Sequence, residues 1–224
     1  MAVELQAGAA RDEVLRRIRR AIGSGASGAE TIHAEWQTLP RNYKSSAALD
    51  RDALVEMLED RLRDYDAVVV RAKSGSIASE MVRMLKDRGL HRLIVPNGLP
   101  EAIGEPLPEG FDFIADDNLS STELDQFEGV VTASTVAIAE TGTIVLQNVP
   151  GQGRRAPTLI PDYHLCVVRL ADVVETVPEA MERLAGTASL ATTFISGPSA
   201  TADIEMTRIK GVHGPRFLDV ILVE

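Results

Sequence analysis

Two side chains combine acid–base chemistry with a loop position, which is what a catalytic residue needs. Glu140 comes directly after an apolar run and shortly before Gly142, and a glutamate at such a strand break can act as a general base or a nucleophile. His213 lies between Gly211 and Gly214, and imidazole titrates near neutral pH. The sequence therefore predicts Glu140 and His213 as catalytic residues. The alternatives are that Glu140 pairs with a nearby cation and that His213 is structural or solvated.

Several polar loops have the composition of small-anion sites. Glycine and serine after a short apolar run leave backbone N–H groups and hydroxyls free to face an anion. Paired arginines in a glycine-rich loop can hold a carboxylate or phosphate through two hydrogen bonds. The candidate ligand-binding residues are Lys73, Ser74, Gly75, Ser76, Thr141, Gly142, Arg154, Arg155, Ser196, Gly197 and Ser199. An ordinary capped helix and solvated surface turns are the alternative interpretations.

Composition excludes several classes of site. The single cysteine, Cys166, allows no disulfide within the chain, no Cys-ligated iron–sulfur cluster and no structural zinc site. The four histidines have no HxxxH or HxH spacing, so no metal site is predicted. A net charge of -10 disfavours nucleic acid as a partner. Without a secretory signal or an apolar run of roughly 18–20 residues, the expectation is a cytoplasmic protein with no membrane span.

The elements that must position these residues alternate along the chain. Short apolar runs separated by amphipathic helices are typical of strands that are covered on both faces. Strands are predicted at 66–71, 92–95, 111–114, 129–132, 136–140, 143–147, 165–170, 192–196 and 217–223. Helices are predicted at 50–64, at 77–88, from about 121, within 173–185 and from about 201. This order favours an α/β fold with a Rossmann-like, three-layer, mostly parallel sheet.

Two further expectations concern organisation. An arginine-rich amphipathic helix at 11–22, a flexible GSGASG linker and an irregular stretch at 32–44 predict an N-terminal helical arm over 1–49, followed by one α/β domain over 50–224. The segments 136–140 and 143–147 form either a hairpin or one strand bent at Gly142.

The candidate loops all follow predicted strands, and ligands of open α/β sheets bind beyond the carboxyl ends of the strands. We therefore expect residues 73–76, 140–142, 196–199 and His213 to line one shared cleft, with Arg154 and Arg155 as its lid.

Four segments also carry a family resemblance: AETGT at 139–143, PDYHLCVV at 161–168, SGPSATADIE at 196–205 and GVHGPR at 211–216. Together they closely resemble the lactate-utilisation protein C family, also called the LUD domain family. The resemblance implies a fold of the superfamily of CoA transferases, ribose-5-phosphate isomerases and glucosamine-6-phosphate deaminases. It also implies that loop 73–76 is similar in place to a phosphate loop, and that Glu140 is similar in kind to the catalytic glutamate of CoA transferases.

The resemblance further implies a function. Members of this family work beside iron–sulfur partner proteins that convert L-lactate to pyruvate, so this chain would be a component without a redox cofactor of its own. The alternative is an independent enzyme or sensor that binds a small anionic ligand, such as an acyl-CoA, a sugar phosphate or a carboxylate. Stable association with iron–sulfur proteins would separate the first interpretation from the second.

Overall fold

The computed structural model describes residues 2–22, 28–44, 46–202, 208–210 and 214–224. They fall into two compact units, Met1–Tyr43 and Lys44–Glu224. The first unit contains helices α1 (Ala2–Ile22) and α2 (Ala29–Thr38). The prediction of irregular structure over 32–44 is therefore wrong for residues 32–38, which are helical. Leu39 follows the last residue of α2, and its extended backbone is the conformation favoured before a proline. The domain boundary after residue 49 stays a prediction.

The second unit alternates helices and strands. Its helices are α3 (Arg51–Asp64), α4 (Ile77–Arg88), α5 (Leu99–Ile103), α6 (Ser121–Leu124) and α7 (Val177–Leu184). Its strands are β1 (Val68–Ala72), β2 (Arg92–Val95), β3 (Asp112–Ala115), β4 (Gly129–Ala133), β5 (Val136–Ile138), β6 (Thr143–Gln147), β7 (Tyr163–Arg169), β8 (Val173–Val174), β9 (Thr192–Ser196), β10 (Ala200–Ala202), β11 (Arg208–Lys210) and β12 (Phe217–Val223). No helix among the described residues is both long and apolar enough to cross a bilayer.

Six strands form a parallel sheet in the order β1-β12-β7-β4-β2-β3. Alternate residues of β7 serve opposite faces, as the two-residue period of a strand requires. Leu165 packs on the side of α4 and α5, whereas Cys166 packs on the side of α3. A second, smaller sheet covers that same side through residues such as Ile144. The predicted three-layer α/β fold with a mostly parallel sheet is confirmed.

The smaller sheet has the order β8-β5-β6-β9. Strands β5 and β6 pair in antiparallel fashion, so the predicted hairpin is the correct alternative. Strand β9 also pairs antiparallel to β6 and does not join the parallel sheet. Exposure alternates along β9, which is typical of a strand with one covered face. Because β9 belongs to the smaller sheet, its carboxyl end lies apart from those of the parallel strands.

Local signals at helix ends agree with the structure in most places. Asp50 caps α3 by accepting a hydrogen bond from the backbone N–H of Ala53 (2.9 Å). Gly89 ends α4 in the left-handed conformation. The helix predicted within 173–185 begins only at Val177, because Thr176 caps it. The helix expected from about 201 is wrong, because residues 200–202 form β10 and pair with β11.

Candidate functional site

A cavity of about 270 Å³ lies on the face of the parallel sheet that the smaller sheet covers. We call it the His164 cavity. His164 and Leu218 are the second residues of β7 and β12, and they are direct neighbours in the sheet. The cavity therefore opens near the amino ends of these strands. Its polar lining comes from Arg155, Thr158, His164, Ser196 and Ser199.

His164 is a buried polar group of this cavity, with 2% of its surface exposed. Its Nε2 lies 2.8 Å from the hydroxyl oxygen of Thr132. Burial, assisted by the positive charge of Arg155, lowers the pKa of His164 to about 3. The imidazole is therefore neutral at physiological pH. Among the described residues, Thr132 is the hydrogen-bond partner of the imidazole, through Nε2.

Arg155 brings a positive charge to the same cavity. Its Nη1 donates to the hydroxyl (2.9 Å) and the backbone carbonyl (3.3 Å) of Thr158, and no described carboxylate pairs with it. Burial lowers the pKa of Arg155. The neighbouring Arg154 differs, because Asp116 accepts two hydrogen bonds of 2.7 Å from its guanidinium group. The two arginines are therefore not equivalent: the charge of Arg154 is neutralised, and that of Arg155 is not.

Ser196 and Gly197 bring the end of β9 to the cavity. The hydroxyls of Thr141, Thr143 and Ser196 form a chain with two O···O distances of 2.7 Å. Gly197 has φ +77°, and a Cβ at this position would overlap the side chain of Tyr65. The local chain path at the cavity rim therefore depends on this glycine. His213 lies outside the described residues.

Glu140 lies at the β5–β6 turn, away from the His164 cavity. Its carboxylate is 3.5 Å from Nζ of Lys44, which also binds Glu175. Gly142, two residues further on, packs closely on Arg61 in α3. Glu140 therefore forms a partly exposed ion pair with Lys44. This matches the alternative interpretation, in which Glu140 pairs with a nearby cation. Its catalytic role stays a prediction.

The loop 73–76 follows β1 at the carboxyl edge of the parallel sheet. Backbone N–H groups at this loop and at the start of α4 already bind a carboxylate of the protein itself. The carboxylate of Glu105 accepts hydrogen bonds from the backbone N–H groups of Gly75 (2.6 Å), Ile77 (3.2 Å) and Ala78 (3.1 Å). The start of α4 is thus an anion-binding site, as expected, but the carboxylate of Glu105 occupies it. Lys73 and Ser74 are exposed, and Ser76 hydrogen-bonds to the backbone of Lys73.

A second cavity, of about 560 Å³, lies at the carboxyl ends of β2 and β3. Asn97, Asp116, Asn118, Asn148 and Arg154 contribute its polar lining. Ligand sites of α/β sheets commonly occupy this edge. The charge of Arg154 is already balanced by Asp116, so this cavity offers an organic anion less than the His164 cavity does.

The predicted residues thus lie in separate places and not in one shared cleft. Arg155, Ser196, Gly197 and Ser199 meet in the His164 cavity; Thr141 reaches it only through hydroxyl contacts; Lys73–Ser76, Arg154 and Glu140 lie elsewhere. His164, Thr158 and Glu105 were not predicted as site residues from the sequence. The available signal for His164 was a polar residue within the apolar run of β7. No group of three or more potential metal-ligating side chains occurs in the described part of the chain.

Comparisons with known proteins agree with this architecture. A protein-family model described as the LUD domain matches residues 118–223, which include the described lining of the His164 cavity. The chain is 40% identical to "Lactate utilization protein C" of Deinococcus radiodurans, over 94% of each chain. It is 27% identical to the protein of the same name from Bacillus subtilis, over 95% of each chain.

A solved structure is also similar. The crystal structure of a DUF162 family protein from Deinococcus radiodurans matches with a TM-score of 0.68 and 38% sequence identity. The match covers 79% of this chain and 100% of that chain. Sequence and structure therefore agree, and the chain belongs to the lactate utilization protein C family, whose domain is the LUD domain.

Proposed function

We propose that this protein is a component of an L-lactate utilisation system, which oxidises L-lactate to pyruvate together with iron–sulfur proteins. The observation that carries the proposal is the 40% identity over 94% of both chains to a protein named for lactate utilisation. A relationship over nearly the whole length supports a shared role better than a match limited to one motif. The proposal includes a cytoplasmic location.

The proposal assigns no redox cofactor to this chain and expects the iron–sulfur clusters in its partner proteins. Cys166 is the single cysteine of the sequence, and an iron–sulfur cluster is normally held by several thiolates. Its thiol is fully buried in β7, and burial raises its pKa to about 12. A protonated, enclosed thiol is a poor metal ligand. These features support a division of labour within the system.

A second candidate function is an independent enzyme or sensor for a small anionic ligand. The observation that favours it is the His164 cavity, in which Arg155 has no described carboxylate partner. Such a cavity could serve a free-standing protein as well as a component of a larger system. In that function the ligand would be an acyl-CoA, a sugar phosphate or a simple carboxylate.

Growth of a strain that lacks the gene tests the first proposal. We expect loss of growth on L-lactate, normal growth on pyruvate, and recovery when the wild-type gene is returned. Affinity purification of the returned protein should recover iron–sulfur proteins, detected by their iron content and visible absorbance. Unchanged growth on L-lactate, in a strain with no other lactate dehydrogenase, would contradict the proposal. Growth loss without iron–sulfur partners would favour the second candidate.

A further inference from the structure

The hydrogen bonds behind the His164 cavity favour one tautomer of His164. Sγ of Cys166 donates to the backbone carbonyl of Ala133 (3.8 Å), and the hydroxyl of Thr132 donates to Sγ of Cys166 (3.6 Å). The hydroxyl oxygen of Thr132 is then an acceptor for Nε2–H of His164 (2.8 Å). A neutral imidazole carries one proton, so this arrangement leaves Nδ1 as a hydrogen-bond acceptor. His164 therefore favours a ligand that presents a donor, such as a hydroxyl group.

Arg155 provides the complementary half of the site. Nη1 is used by Thr158, whereas Nε and Nη2 donate to no described residue. These two N–H groups have the parallel geometry that binds a carboxylate through two hydrogen bonds. Because the neighbouring imidazole is neutral, the polar lining contributes one positive charge. A monoanion matches that charge better than a phosphate dianion does.

The rest of the cavity supplies apolar contacts and space for a ligand. Phe194 and Leu218 bring apolar surface to the lining. The volume of about 270 Å³ accommodates a molecule of a few carbon atoms with space to spare.

From these features we infer that the His164 cavity binds a small hydroxycarboxylate, with the carboxylate on Arg155 and the hydroxyl donating to Nδ1 of His164. The inference rests on the proposed function for its choice of L-lactate as the probe. The two can fail separately, because binding is measured on purified protein, whereas the proposed function is measured by growth.

The test compares four probes by calorimetry with the full-length protein: L-lactate, propionate, pyruvate and inorganic phosphate. Propionate lacks the hydroxyl, and pyruvate replaces it with a carbonyl that cannot donate. We expect L-lactate to bind about tenfold more tightly than either, which is the effect of one good hydrogen bond. We expect phosphate to bind more weakly than L-lactate. Equal or tighter binding of propionate, pyruvate or phosphate would overturn the inference.

Variants of Arg155 test whether L-lactate binds in the His164 cavity. Arg155→Ala should weaken L-lactate binding at least about tenfold, and Arg155→Lys should restore part of it. Arg83→Ala removes the same charge from an exposed position on α4 and should leave binding unchanged. Arg155 contributes no side chain to the hydrophobic core, so its removal leaves the core packing intact. Absence of L-lactate binding to the wild type at millimolar concentration, or equal binding by Arg155→Ala, would refute the assignment.

A spectroscopic measurement examines His164 without a substitution that could disturb folding. In ¹⁵N-labelled protein, L-lactate should shift the Nδ1 resonance of this ring towards that of a hydrogen-bonded acceptor, and propionate should not. Nε2 should remain the protonated nitrogen in both cases. A proton on Nδ1 in the free protein would contradict the direction inferred from Thr132 and Cys166.

Discussion

Glu175 is a buried carboxylate that stays ionised because of its partners. Only 1% of its side chain is exposed, yet Lys44 donates to one oxygen and the backbone N–H groups of Ala48 (2.6 Å) and Leu49 (2.9 Å) donate to the other. These bonds, led by the one from Lys44, lower its pKa from the ordinary value of 4.5 to about 2. Glu175 thereby fastens the segment that precedes α3 to the start of α7.

This pKa has a consequence for stability. A carboxyl group with a lowered pKa in the folded state stabilises the protein above its unfolded-state pKa, and this contribution is lost as the pH falls through the folded-state value. Glu175→Gln should therefore be less stable than the wild type near neutral pH. The difference should shrink between pH 4.5 and about 2. Urea unfolding at a series of pH values measures it.

The matched control for that experiment is Glu182→Gln, which removes an exposed carboxylate from α7. It should change stability little at any pH. A difference between wild type and Glu175→Gln that is constant across the acid range would mean that the ionisation of Glu175 is not the source of its contribution.

At the scale of elements, the start of α4 is stabilised by a carboxylate from a distant loop. Glu105 accepts hydrogen bonds from the N–H groups of Ile77 and Ala78, which the helix cannot satisfy itself, and from that of Gly75 in the preceding loop. Glu105→Ala should lower the free energy of unfolding by about 1–3 kcal/mol, through lost charge-assisted hydrogen bonds and a lost interaction with the helix dipole. Chemical denaturation measures the change. Glu109→Ala, at an exposed position of the same connection, is the control.

The same variant tests whether the backbone N–H groups at the start of α4 bind an anion when Glu105 is absent. With the carboxylate removed, sulfate should raise the melting temperature of Glu105→Ala more than that of the wild type, because the vacated N–H groups can bind it. An equal response in the two proteins would show that the loop 73–76 has no intrinsic affinity for an anion.

The elements differ in how far the sequence predicts them. Asp50 and Gly89 mark helix ends through chemistry that is local in sequence, and both predictions are confirmed. The partner of β9 was not predictable in this way, because its pairing with β6 joins distant residues. The same limit applies to the candidate site. Arg155 and Ser196 were predicted as ligand-binding residues from their side-chain chemistry. His164 was not, because only the register of β7 against β4 and β12 brings it beside them.

At the scale of the whole molecule, Cys166 reports on the integrity of the core. It lies in β7, which pairs with β12 and β4, and its thiol is fully buried. With a pKa of about 12, about one thiol in ten thousand is ionised at about pH 8. Iodoacetamide should therefore label native protein only through opening of the sheet, and labelling should accelerate steeply with urea. Labelling of native protein at the rate of a small-molecule thiol would show that the core is open.

The strand order also has a consequence for biosynthesis. Strand β1 pairs with β12 alone among the described strands, and β12 follows every other strand of the sheet in sequence. A ribosome therefore delivers β1 long before its neighbour, and the entropic cost of that distant pairing must be met late. Until β12 emerges, the nascent chain exposes unpaired strand edges on both β1 and β7, which are surfaces that chaperones recognise and that promote aggregation. Completion of the sheet is thus coupled to the end of translation of this domain.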